Sequence, residues 1–150
     1  MSDALLTRLR FRIDLWLTAR LLPFRMWHER PLNEVLSLAR PTPRRSYIGL
    51  PRAYILKRVL RTTRRPILMR DRRCLRQGIL ALQFMTAAGY KSELHFGIDQ
   101  TSVDRTIAAH CWLVHQGQVV LNPPDQATVP IFVYCADAPV MTDASASRLL

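Results

Sequence analysis

The sequence predicts an α+β domain in which one helix packs on a small antiparallel sheet and a helical segment precedes both. Two observations carry this reading. Up to residue 88 apolar residues recur at spacings of three and four, the helical period, whereas after residue 91 they fall in short runs that suit strands. The chain is 150 residues long and 49% hydrophobic, which suits one folded domain with a real core and argues against two domains or a chain disordered as a whole.

Taken in order, residues 4–22 read as an amphipathic helix. Leu6, Leu9, Ile13, Trp16, Leu17 and Leu21 recur on one stripe, with Arg8, Arg12 and Arg20 largely off it. That stripe is expected to pack on the domain, and Pro23 to close the helix. A short helix is expected at 32–39, after Pro31, and the segment 41–51, with Pro41, Pro43, Gly49 and Pro51, reads as a linker or turn. A helix over 52–63 sets Ile55, Leu56, Val59 and Leu60 on one side and Lys57, Arg58 and Arg61 on the other, and Pro66 ends the element. Asp71 suits the N-cap of a helix from about 72 to 88, which Gly89 stops. Strands follow at 91–98, 107–115, 118–122 and 129–135, and a small, polar tail from Asp137 is expected to fray. The expected organisation is a basic helical segment at 1–65 packing on a core at 66–136, with a flexible tail at 137–150.

The net charge of +11 is uneven. Residues 1–73 hold 18 Lys+Arg and 5 Asp+Glu, a balance of +13, whereas residues 74–150 hold 4 and 6, a balance of −2. Such a charge implies an anionic partner: nucleic acid, a membrane surface or an acidic polypeptide. The arginines lie along helices with little aromatic interleaving, and no helix-turn-helix, zinc or RNA-binding signature occurs, which argues against nucleic acid. Charges at Arg8, Arg10, Arg12, Asp14 and Arg20 interrupt the apolar stretch Ala4–Phe24, so neither a signal peptide nor a transmembrane segment is expected. Cys74, Cys111 and Cys135 are an odd, widely spaced set that fits a reducing compartment, and the expected location is cytoplasmic. No Cys-x-x-Cys spacing is present, His110 and Cys111 point apart on one strand, and no metal or cofactor is expected.

All three cysteines and three of the four histidines lie after residue 73, where chemistry is expected. With Asp71 as cap, Cys74 sits in the first turn of its helix. The positive helix end, its open backbone N–H groups and neighbouring Arg72 and Arg73 all favour the thiolate that a cysteine nucleophile needs. In Ala109-His110-Cys111-Trp112-Leu113-Val114, strand alternation puts His110 and Trp112 on one face. An imidazole there suits a base for the Cys74 thiol. A third group should orient the imidazole. If His115-Gln116-Gly117 forms a three-residue loop, Val114 pairs with Gln118 and His110 with Asn122. Asn122 is then the candidate orienting residue, with Asp125 in reserve. The same register sends Cys111 to the opposite face, so it is not expected to be the nucleophile.

The ordered set Cys74-Leu75-Arg76-Gln77-Gly78, then Glu93-Leu94-His95-Phe96-Gly97-Ile98, then Ala109-His110-Cys111-Trp112, then Gly117 resembles the leader peptidases of lasso-peptide biosynthesis. That family is a minimal branch of the transglutaminase-like (papain-like) cysteine proteases. The resemblance covers roughly residues 66–125, and the Leu21-Leu22-Pro23-Phe24-Arg25 stretch is similar in style. It implies a cytoplasmic cysteine peptidase, with Cys74 and His110 as the catalytic pair, that removes the leader from a ribosomally made precursor peptide. It also implies a separate, PqqD-like leader-recognition protein and a cyclase of asparagine-synthetase type as partners. Three positions depart from the family pattern: Cys111 replaces a small residue, Val114 an acidic one, and Asn122 stands where the orienting residue is normally aspartate. Transglutaminase or acyltransferase chemistry on the same fold is the first alternative, and a non-enzymatic basic nucleic-acid-binding protein the second.

Overall fold

A computed structural model describes residues 3–26, 31–42, 46–64, 72–99 and 109–136. Its helices are α1 (Asp3–Arg25), α2 (Leu32–Ser37), α3 (Arg52–Thr63) and α4 (Arg73–Ala87). Its strands are β1 (Ser92–Asp99), β2 (Ala109–His115), β3 (Gln118–Leu121) and β4 (Thr128–Cys135), ordered β3-β2-β1-β4 with every described pairing antiparallel. The expected α+β architecture is what forms. The positions of Asp71 and of the tail from Asp137 lie outside the described residues.

Helix α4 is the centre of the domain. Its residues 77–85 are all buried, because one side of the helix packs on β1 and β2 while the others receive α1 and α3. A β-carbon at Gly78 would come within 2.6 Å of Leu94 Cδ1, so the absence of a side chain there lets helix and sheet approach closely. One hydrophobic cluster joins α1, α3, α4 and the inner sheet face through Phe11, Leu15, Ile55, Val59, Leu80, Phe84, Leu94 and Leu113.

Helix α1 differs from its sequence reading in two ways. It runs through Pro23 to Arg25. A proline so near the end removes only a last-turn hydrogen bond, and the N–H of Met26 still reaches the Leu22 carbonyl at 3.0 Å. The second difference is the face that is buried. Phe11, Leu15, Thr18, Ala19 and Leu22 are inside, whereas Leu6, Leu9, Ile13, Trp16, Leu17 and Leu21 are exposed. Apolar residues, interleaved with arginines, occur around nearly the whole circumference of the helix, so periodicity alone admits two stripes. Aromatic partners choose between them. Phe11 meets Tyr47 and Phe84 edge-on, each at 5.4 Å between ring centres. Tyr47, placed by sequence in a linker, is fully buried; its hydroxyl donates to Asp14 and its backbone N–H to Ala87 O at 2.9 Å.

The β2–β3 hairpin also departs from its expected register. Gln116 (φ 51°) and Gly117 (φ 74°) are both left-handed, as a two-residue type I′ turn requires. His115 therefore pairs with Gln118 and Val114 with Val119. A bulge then leaves Val120 as the extra residue and pairs Leu113 with Leu121, where the three-residue loop predicted Cys111 opposite Leu121.

Candidate active site

The start of α4 and the β2–β3 end of the sheet meet in an open cleft of about 510 Å³. Cys74, Gln77 and Arg73 line it from α4, Leu60 and Arg64 from α3 and just beyond its end, and His110 and Asn122 from the sheet side. Cys74 is the second residue of α4, among the first N–H groups that find no partner within a helix. The cap position is Arg72, in a left-handed conformation (φ 54°, ψ 40°) with no side-chain cap. For a residue with a β-carbon this conformation costs roughly 1–2 kcal/mol, and it turns the chain sharply into the helix that presents Cys74.

The Cys74 thiol is lowered from the ordinary 9.0 to about 5. The largest cause is a hydrogen bond from the side chain of Cys111. A backbone hydrogen bond from Cys111, the charge interaction with His110 and a backbone hydrogen bond from Leu75 follow, against an opposing desolvation by burial. The Cys111 thiol, 1% exposed, is raised in turn, chiefly by that same hydrogen bond and then by burial. The donor therefore stays protonated while Cys74 ionises. Cys111 does lie on the strand face opposite His110, but that face is the one α4 covers, with its sulfur 3.5 Å from where a Gly78 β-carbon would stand. Gly78 is one helical turn beyond Cys74. Thiolate stabilisation expected from Arg72 and Arg73 comes principally from a neutral thiol instead.

His110 is held from two sides. Its ring stacks on Trp112 at 6.2 Å and 21°, and Trp112 is backed by His95 at 5.8 Å. Gly97, paired with His110, leaves room for this stack: a β-carbon there would lie 2.9 Å from Trp112 Cζ3. The ring Nε2 of His110 is 3.1 Å from the backbone oxygen of Asn122, so in that contact Nε2–H donates and Nδ1 is left as acceptor. Asn122 thus reaches His110 through its carbonyl, where the sequence reading had assigned its side chain. The residue is left-handed (φ 51°), a conformation asparagine tolerates, one position past the last paired residue of β3. Its side-chain amide donates instead to the Cys74 carbonyl at 3.5 Å. Asp125 is exposed in the β3–β4 connection and does not line the cleft.

A family model described as the transglutaminase-like superfamily matches residues 6–132. The chain belongs to that superfamily. Cysteine-peptidase and acyl-transfer chemistry is what the transglutaminase-like superfamily brings to a fold of this kind. No curated protein and no solved structure matches the chain.

Sequence reasoning missed two contributors to the transglutaminase-like cleft. Gln77 is buried and donates to Thr63 Oγ1 at 2.8 Å, while Thr63 donates to Val59 O at 2.8 Å, so a hydrogen-bonded chain ties α4 to α3 beside the nucleophile candidate. Its i+3 spacing from Cys74 was a usable signal. The role of Cys111 left no sequence signal beyond its presence. His115 serves elsewhere, donating through Nδ1 to Lys91 O at 2.6 Å, while His95, which backs Trp112, has its Nε2 2.9 Å from Glu93. Among the described residues no group of three His, Cys, Asp or Glu converges as a metal site, and no helix is long and apolar enough to cross a membrane.

Proposed function

We propose that this protein is a cysteine peptidase that removes the leader from a ribosomally synthesised lasso-peptide precursor, with Cys74 as nucleophile and His110 as base. The observation that carries the peptidase reading is a cysteine at a helix start that shares one cleft with a histidine whose Nε2 is engaged by a backbone carbonyl, its thiol held well below the ordinary value. The leader-peptide specificity rests on the four ordered motifs and their resemblance. In this reading His110 Nδ1 takes the proton of the Cys74 thiol, the thiolate attacks the scissile carbonyl carbon, and the C–N bond breaks as Nδ1 gives that proton to the leaving amine. Water then attacks the acyl-enzyme, its proton passing to His110, and releases the carboxylic acid and the thiolate. The Cys74 backbone N–H, at a helix start where no intrahelical partner exists, is the donor this reading assigns to the developing oxyanion. The carbonyl of Asn122 keeps His110 in the tautomer whose Nδ1 faces the chemistry. A separate PqqD-like recognition protein supplies leader binding, and an asparagine-synthetase-type cyclase consumes the freed core peptide.

The test is incubation of a precursor peptide with the protein and its recognition partner in ¹⁸O-water, followed by mass spectrometry. One ¹⁸O in the new carboxylate, lost with Cys74→Ala, supports hydrolysis. A product carrying an added amine in place of ¹⁸O would reassign the same pair to acyl transfer.

A further inference from the structure

The exposed stripe of α1 is not an isolated set of apolar side chains. Beside it, between α1 and α3, runs a groove of about 550 Å³ whose walls carry Arg12, Arg20, Arg58 and Arg61 and whose apolar lining includes Leu9 and Trp16. Among the described residues no acidic side chain lines it. It adjoins a second hollow of about 390 Å³ that shares Leu9, Arg12 and Arg58, so the concavity extends along both helices. Leu9 is 50% and Trp16 44% exposed, although both are large and apolar.

We propose that this groove is a docking site for an acidic, apolar polypeptide segment, which it seats beside the Cys74 cleft. Charge complementarity chooses the occupant: four guanidinium groups, with no carboxylate among the described lining residues, match a run of Asp or Glu, and their planar forks grip carboxylates in pairs. Arginine and tryptophan around an apolar strip is also the composition of protein–protein hot spots. Two other anionic partners fit less well. A single-stranded nucleic acid needs open aromatic faces for stacking, but the Arg20 guanidinium already covers Trp16 at 4.0 Å. A bilayer surface is flat, whereas these arginines stand on the walls of a concavity. Position adds the last argument. Helix α3 presents Arg58 and Arg61 to the groove and Leu60 to the cleft. A segment in the groove therefore lies about one helix diameter, ~10 Å, from the nucleophile candidate.

This inference deepens the peptidase reading and rests on it only for the purpose of docking. Fluorescence anisotropy, which needs no turnover, reads binding apart from catalysis. The probe is a fluorescein-labelled peptide rich in Glu and Leu, compared with its Gln-for-Glu twin on the wild-type chain. The Glu peptide is expected to bind at least about tenfold tighter at low salt, with the advantage shrinking as salt screens the charges. Arg58→Glu combined with Arg61→Glu, and separately Trp16→Ala, are expected to lose about tenfold of that affinity while iodoacetamide still labels Cys74 at the wild-type rate. If the double reversal fails to fold, Arg20→Gln, at an exposed position, is the substitute and is expected to weaken binding several-fold. Equal binding of the two peptides, or binding indifferent to these substitutions, overturns the proposal. So does preference for phosphatidylglycerol vesicles or oligothymidine over the peptide, which would assign the groove to a membrane or to nucleic acid.

Discussion

The Cys74 cleft and the α1–α3 groove lie on two sides of the same helix, α3, and are built on opposite plans. In the cleft, although Arg64 and Arg73 line it, the largest influence on the thiol is a neutral donor, the Cys111 thiol, with backbone hydrogen bonds and the charge of His110 behind it. In the groove the decisive groups are four arginines over apolar side chains. The difference teaches that this protein's large positive charge is not what activates its thiol. A thiolate half-buried beside the core is stabilised most by a donor at contact distance, whereas exposed guanidinium groups are screened by water and salt. Charge is set where a partner can meet it, and hydrogen bonds where chemistry needs direction.

The sharpest way to break the comparison is Cys74→Ala. It is expected to abolish peptide cleavage and the fast iodoacetamide reaction together, with anisotropy at the groove unchanged. Loss of both functions would mean that the two regions are one site.

Next in size is the contrast between the two faces of α1 that form the groove's floor and rim. Phe11→Ala empties an aromatic pocket at the centre of the core and is expected to cost about 3–5 kcal/mol in denaturant unfolding. Ile13→Ala, on the exposed face, is expected to cost less than about 0.5 kcal/mol. Comparable losses at the two positions would show that α1 buries the other stripe.

A third experiment sharpens the claim about what activates the thiol. With Cys74 lowered to about 5, its alkylation rate is expected to be level at neutral pH and to fall only as pH drops through 5, where the thiolate takes up its proton. Cys111→Ala removes the principal donor. Hydrogen bonds to charged groups are worth roughly 1.5–3 kcal/mol, so the midpoint should rise by about 1–2 pH units and labelling at pH 6 should slow. Cys111→Ser keeps a donor and should hold the midpoint nearer the wild type, while His110→Ala should move it less than Cys111→Ala. An unchanged midpoint in Cys111→Ala, with the arginines of the groove neutralised to larger effect, would reverse the comparison.

The smallest effects are expected beside His110. Asn122→Gly keeps both the carbonyl and access to the left-handed conformation, so turnover should stay within about threefold of wild type. Asn122→Val must force a β-branched residue into that conformation, at a cost of roughly 1–2 kcal/mol, and should lower turnover more. Asp125→Ala, exposed and outside the cleft, should change neither turnover nor labelling. A large loss in Asn122→Gly would return the orienting role to the side-chain amide.

The sequence by itself determined the class of the fold, the helices and strands to within a few residues, and, apart from α3, the segments that meet at the cleft. Those features are local: a helical or alternating apolar period, a glycine after a helix and a left-handed turn at Gly117 are each legible over a few neighbours. Tertiary structure decided the rest. Which stripe of α1 is buried depended on Tyr47 and Phe84, residues 36 and 73 positions beyond Phe11. The partner of His110 depended on a two-residue turn and a bulge, because a register error of two residues leaves the side-chain alternation intact and so cannot be seen in the hydrophobic pattern. The strongest influence on Cys74 depended on α4 lying across the inner face of β2, where Gly78 allows Cys111 to come close. Periodicity reports which residues share a face; only packing between elements reports what that face meets.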